Sequence, residues 1–120
     1  MSIVKFVMPL TRKAGMTKED FRQYYEQHHK LIGEKYLKNY VVKYSRGYVS
    51  PTSGEASSTD FDVLLEIWYR DSESFKACMS YLSTPEIAAE IAADEEKLFD
   101  RSKKRGYLLD EVESDFEADF

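Results

Sequence analysis

The sequence predicts an α+β domain, an antiparallel sheet of four strands with helices packed against one face. Three observations predict it. Segments of two-residue apolar alternation and segments of helical periodicity follow one another in the order β-α-β-β-α-α-β. A chain of 120 residues and 14.0 kDa has the length of one domain around one core. Hydrophobic residues make up 42% and charged residues 32%, the balance of a globular protein rather than a disordered or fibrous one.

The elements read as follows. Residues 3–10 form a strand with Val4, Phe6, Met8 and Leu10 on one face. After the loop Arg12-Lys13-Ala14-Gly15, Thr17-Lys18-Glu19-Asp20 resembles a capping box and starts a helix. Its stripe is Phe21, Tyr25, His28 and Ile32, and Gly33 is expected to end or break it. Residues 39–49 alternate strictly, with Tyr40, Val42, Tyr44, Arg46 and Tyr48 on one face as a tyrosine ladder with one cation in it. The small polar stretch 50–59 reads as a surface loop, with the length and composition of a lid over a pocket. Residues 61–69 form a third strand, Phe61, Val63, Leu65, Ile67 and Tyr69 opposing Asp62, Leu64, Glu66 and Trp68. Asp71 opens a short helix bearing Phe75, Cys78, Met79 and Leu82. Pro85 marks a second start, of a helix from Ile87 to about Phe99. The cationic link 101–105 suits a helix end, and residues 106–109 make a last short strand.

Two β-α-β halves in this order give a split, ferredoxin-like unit. Trp68 and the tyrosine ladder are expected on the sheet face that helices leave bare. An apolar sheet face does not stay in water, so two copies are expected to close face to face as a symmetric homodimer that encloses cavities. The domain is expected over residues 1–111, with residues 112–120 as an acidic tail. Residues 110–120 hold six carboxylates, and Phe116 and Phe120 suit a tail that docks on a neighbour.

Several function classes are excluded on composition. No apolar run reaches the ~20 residues of a membrane span, and the charged, short apolar start reads as a strand rather than a signal peptide. Cys78 is the single cysteine, which rules out an intrachain disulfide and suits a reducing compartment, the cytoplasm. Residues 1–48 carry a net +6 and residues 49–120 a net −11, yet the cations are dispersed rather than clustered, which argues against nucleic acid. The 9 tyrosines, 7 phenylalanines and one tryptophan suit an aromatic cavity that binds a small aromatic substrate.

Reactive groups are few. His28 and His29 are the only histidines and, as helical neighbours, point about 100° apart, so one ion cannot take both. No partner spacing completes a metal site, and no Gly-rich phosphate loop follows the first strand. The expectation is therefore acid–base chemistry without metal or cofactor, carried by an imidazole. Tyr25, Tyr44 or Tyr48 would bond a phenol or enolate oxygen, and Arg46 or a tyrosine a carboxylate. Trp68 would add a flat apolar wall, and His28 is a further candidate for binding substrate. Asp94, after an alanine-rich stretch, would face inward and orient an imidazole or bind a hydroxyl.

The segment Lys5 to Thr17 resembles the first strand and R-x-x-G-hydrophobic-[ST] loop of EthD-domain proteins. Residues 19–29 resemble the family's E-x-F-x-x-Y-[YW]-x-x-x-H helix, Glu66-Ile67-Trp68-Tyr69 its third strand, and residues 94–100 its D-E-x-x-F-x-D helix end. The resemblance spans about Ile3 to Glu111. It implies a dimeric α+β barrel, with His29 as the family histidine and Asp94 as the helix-end carboxylate. Lys30-Leu31-Ile32 stands where many relatives have a proline after that histidine. Some relatives accompany ether-degrading oxygenase systems. Others, in fungal aromatic-polyketide pathways, resemble cofactor-free decarboxylases or dehydratases. The expected function is a cofactor-independent lyase, decarboxylating or dehydrating an aromatic polyketide-like acid, with His29, Asp94 and Tyr44 at the chemistry. A cofactor-free monooxygenase or cyclase, and a non-catalytic carrier of an aromatic intermediate, are the alternatives.

Overall fold

The computed structural model describes residues 2–55 and 59–117. Strand β1 (Val4–Leu10) leads into helix α1 (Lys18–Tyr24), a π-helical turn (Tyr25–His29) and helix α2 (Lys30–Leu37). Strands β2 (Val41–Tyr48) and β3 (Val63–Tyr69) follow, then helices α3 (Ser72–Leu82) and α4 (Pro85–Glu95), a 3-10 turn (Arg101–Lys103) and strand β4 (Tyr107–Leu109). The strands are hydrogen-bonded in the order β2-β3-β1-β4, each pair antiparallel. This is the ferredoxin-like α+β fold. Among the described residues no helix is long and apolar enough to cross a membrane.

The start signals act locally. The Thr17 hydroxyl accepts the Asp20 N–H at 3.0 Å, and the Asp71 carboxylate accepts the Ser74 N–H at 2.7 Å. Arg12 ties the first loop to the sheet: its backbone N–H donates to Asp62 Oδ2 at 2.8 Å, its guanidinium to Asp62 Oδ1, and its Nε to the Met16 carbonyl at 2.8 Å. Val63, Leu65, Ile67 and Tyr69 are buried beneath the helices together with Leu10, Phe21, Tyr25, Leu37, Cys78, Leu98 and Phe99.

Four expectations need correction. Gly33 does not stop the helix, which runs on to Leu37. Its missing Cβ instead admits Tyr44, whose hydroxyl would lie 2.5 Å from a methyl there. The alternation in β2 breaks at a bulge, where Val41 pairs with Tyr69 but Lys43 with Trp68. Val42 is thereby pushed outward, and Tyr44, Arg46 and Tyr48 come to the helix-covered face with Ile67, Leu65 and Val63. The tyrosine ladder is therefore under the helices, while Trp68 is on the opposite face. Lastly, α4 ends at Glu95; Leu98 and Phe99 are buried from a turn, with Phe99 bridging to Arg12.

The third strand begins at Val63, so Phe61 precedes it. Of the 50–59 loop, residues 50–55 and 59 carry no helix or strand, and 56–58 lie outside the described residues. After β4 the chain is exposed through residue 117, and Phe120 lies outside the described residues.

Candidate active site

The His29 position follows from the π turn. A uniform α-helix continuing the Phe21–Tyr25 stripe would bring position 28 inward. The π turn holds one extra residue and advances the register, so the buried series is Phe21, Tyr25, His29 and Leu37, and His28 is exposed. The same turn stacks residues five apart, where an α-helix would splay them by about 140°. Tyr24 and His29 consequently reach one carboxylate. The Tyr24 hydroxyl donates to Asp94 Oδ1 at 2.5 Å, and His29 Nδ1 lies 2.8 Å from Asp94 Oδ2.

His29 and Asp94 are each 8% exposed. A carboxylate only accepts, so it draws the imidazole proton to Nδ1 and leaves Nε2 with a free lone pair in the neutral ring. The ring is wedged edge-on between Tyr25 and Phe99, at 5.1 and 5.3 Å between centroids. Tyr24 is pushed up to about 12, first by burial and then by its bond to Asp94, and stays a proton donor at neutral pH.

His29 lines a cavity of about 230 Å³ between helices and sheet. Phe6, Met8, Leu65 and Ile67 form its floor, and Ile32, Met79, Leu82 and Ile91 its helical wall. Tyr25 and Tyr44 belong to the same lining, with their phenols near enough to interact electrostatically. Burial is the main cause that raises both.

The sequence candidates thus divide. His29, Tyr25 and Tyr44 line the cavity, and Asp94 is held against His29 outside that lining. Arg46 and Tyr48 do not line it. Arg46 forks onto Glu26, with Nε to Oε2 at 2.7 Å and Nη2 to Oε1 at 3.0 Å, and Tyr48 donates to the same Oε2 at 2.7 Å. The guanidinium bond, aided by Tyr48, holds the Glu26 carboxyl below its ordinary range, so Arg46 is already neutralised. His28 lies outside, stacked on Tyr24 at 4.8 Å. Trp68 lies across the sheet, its ring flanked by the Lys5 and Lys43 ammoniums, each 4.2 Å from the centroid. Four residues escaped the sequence reading of the site: Tyr24, Phe99, Glu95 and Lys104. The i, i+5 spacing of Tyr24 and His29 is a signal only if the π turn is foreseen. Phe99 is assigned to a helix that ends before it, and folding alone brings Lys104 to Glu95.

A two-layer α+β sandwich, one sheet under one layer of helices, with a buried His–Asp pair at an apolar cavity, is a ferredoxin-like domain with a candidate site at that pair. The chain belongs to the EthD domain family, whose model matches residues 13–102. Solved structures agree on the fold. An ethyl tert-butyl ether D (EthD) family protein from Bacillus halodurans superposes with a TM-score of 0.66 at 19% identity, covering 92% of this chain and 100% of that one. SnoaB, a cofactor-independent oxygenase from Streptomyces nogalater, gives 0.58 at 12% identity, covering 95% and 97%. A dimeric protein of unknown function and ferredoxin-like fold from Bacteroides fragilis gives 0.54 at 13%, covering 89% and 92%. No curated protein sequence matches the chain significantly.

Proposed function

We propose that this protein is a cofactor-independent lyase that decarboxylates or dehydrates a small aromatic, polyketide-like acid, with His29 as general acid–base. The observation that carries the reading is the Asp94–His29 pair, which fixes a tautomer on an imidazole that lines an apolar, aromatic-rich cavity. The cavity volume of about 230 Å³ falls below the roughly 300–1,000 Å³ of most ligand sites and suits one or two fused rings rather than four.

In decarboxylation, the C–C bond to the carboxylate of a β-keto acid breaks, its electron pair moves to the ketone oxygen, and CO2 leaves. Tyr25 and Tyr44 donate hydrogen bonds to the enolate oxygen. Protonated His29 then gives its Nε2 proton to carbon. In dehydration, neutral His29 takes the α-proton and returns it to the departing hydroxyl, so water leaves with no net change at the imidazole. Asp94 stabilises the imidazolium in both.

The same reading includes a homodimer built on the sheet face that bears Trp68, and a domain of residues 1–111 followed by a tail. The Lys5–Glu111 ion pair at 2.5 Å, with Val112 and Phe116 wholly exposed beyond it, supports that boundary. The test is mass spectrometry of protein incubated with aromatic β-keto acids and their hydroxylated relatives. Loss of CO2 or water is expected, slowed ~10²–10⁴-fold in His29→Ala. Oxygen uptake would move the protein to the oxygenase class, and substrate bound unchanged across the panel would make it a carrier.

A further inference from the structure

The cavity has a second polar group that the His29 chemistry does not use. Glu95, adjacent in sequence to Asp94, lines the cavity although only 5% exposed. A buried carboxylate needs cations, and two reach it from the segment after α4. Lys104 Nζ donates to Oε2 at 2.6 Å, while Arg101 Nε stands 3.4 Å from Oε1 without a hydrogen bond to it. Oε1 is buried and has no hydrogen-bond partner among the described residues. One carboxylate therefore holds two cations, and one of them, Arg101, is only partly engaged.

Lys104 is the cation that reaches the cavity. It lines the wall with its side chain 33% exposed, which puts it at the rim. Its segment is pinned there by Gly106, where a methyl group would collide with the Phe6 ring. An ammonium has three N–H donors, of which Glu95 takes one. Arg46, the cation on the helix-covered face of β2, is by contrast consumed by the two-point fork to Glu26.

We propose that Lys104 is the anion anchor of this cavity, a binding site for the carboxylate or phenolate of a one- or two-ring aromatic ligand, and that Glu95 poises it. The proposal rests on the reading of the cavity as a substrate site. An incoming anion takes the free Lys104 donors. Arg101 then closes onto Glu95, whose buried Oε1 lacks a donor, so the carboxylate is not stranded when Lys104 turns inward. The apolar walls receive the rings, and the charged group stays at the rim beside its counterion.

The test compares 2-naphthoate with its neutral relative 2-acetonaphthone by calorimetry on the full chain. The native protein is expected to prefer the anion about tenfold, as a charge-assisted hydrogen bond gives. Lys104→Gln should abolish the preference while leaving ketone affinity unchanged, and Lys104→Arg should restore it. Arg46→Gln should keep it. A preference that survives in Lys104→Gln, or that is absent from the native protein while both probes bind, overturns the anchor and leaves the cavity reading intact. If neither probe binds, the cavity reading falls and the anchor with it. Should Lys104→Gln fail to fold by circular dichroism, Lys104→Met on the Glu95→Gln background removes the charge pair together and decides the question by the same ratio.

Discussion

At the scale of single residues, the chemistry depends on what Asp94 does to its two donors. Asp94→Asn keeps the shape but offers an N–H where the carboxylate offered a lone pair, and so favours the tautomer with the proton on Nε2. Turnover of the proposed reaction should fall ~10²–10⁴-fold, with substrate affinity held by the cavity walls and little changed; steady-state kinetics separates the two. Tyr24 supplies a pH signature. Its phenol is held at about 12 in the folded chain against about 10 when unfolded, so the folded state grips the proton more tightly. That contribution to stability is complete below pH 10 and drains as pH rises toward 12. Tyr24→Phe should therefore show a smaller drop in Tm between pH 8 and pH 11 than the native protein. An equal drop would mean that Tyr24 stays protonated in neither state or both. His29 and Asp94 were legible through the family resemblance, since the helical stripe itself pointed to His28, and Tyr25 and Tyr44 through the aromatic periodicities. Arg46 misled, since nothing in a linear sequence announces that it will fork onto Glu26 of the π turn, two elements before it.

At the scale of elements, two irregularities build the site, and both defeat periodicity for the same reason. A pattern search assumes a constant angle per residue, whereas the π turn at Tyr25–His29 and the bulge at Val42 each insert one residue and shift everything beyond it by one. The first chooses His29 over His28, and the second turns Tyr44 toward the cavity. Deleting the exposed Gln27 should close the π turn to α-helix and leave Tyr24 and His29 four residues apart, about 40° from alignment, so that both still reach Asp94. Far-ultraviolet circular dichroism should stay native and the Asp94-bonded imidazole proton resonance should persist. Loss of that resonance would show that the π turn itself is needed to place His29. Gly33 belongs to the same construction. Gly33→Ala puts a methyl 2.5 Å from the Tyr44 hydroxyl, an overpacking that should cost about 1–3 kcal/mol in denaturant unfolding and displace Tyr44 from the cavity.

At the scale of the whole molecule, strand order and the single helical layer were readable, since alternation and start signals survive one-residue slips. What the slips hid was which sheet face carries which aromatics. The ladder is covered by this chain's own helices, so it gives no reason to dimerise. The argument for a partner now rests on the other face. There β3 presents Leu64, Glu66 and Trp68, flanked by Val7 and Pro9 of β1, Lys43 of β2 and the exposed Tyr107 and Leu109 of β4. Trp68 Nε1 is buried and without an acceptor among the described residues, and the lysines on either side have their charges answered by Glu111 and Glu66. Neutralised lysines and an unanswered indole N–H are what a self-complementary sheet-to-sheet contact would leave in one isolated copy. Sedimentation equilibrium at micromolar concentration should therefore give twice the 14.0 kDa chain mass. Leu64→Arg, which adds a charge at the centre of that face and touches nothing in the cavity, should return one chain mass with the fold intact. A native protein that sediments as a single chain would remove the dimer and leave the His29 site, which lies wholly within one copy, as it stands.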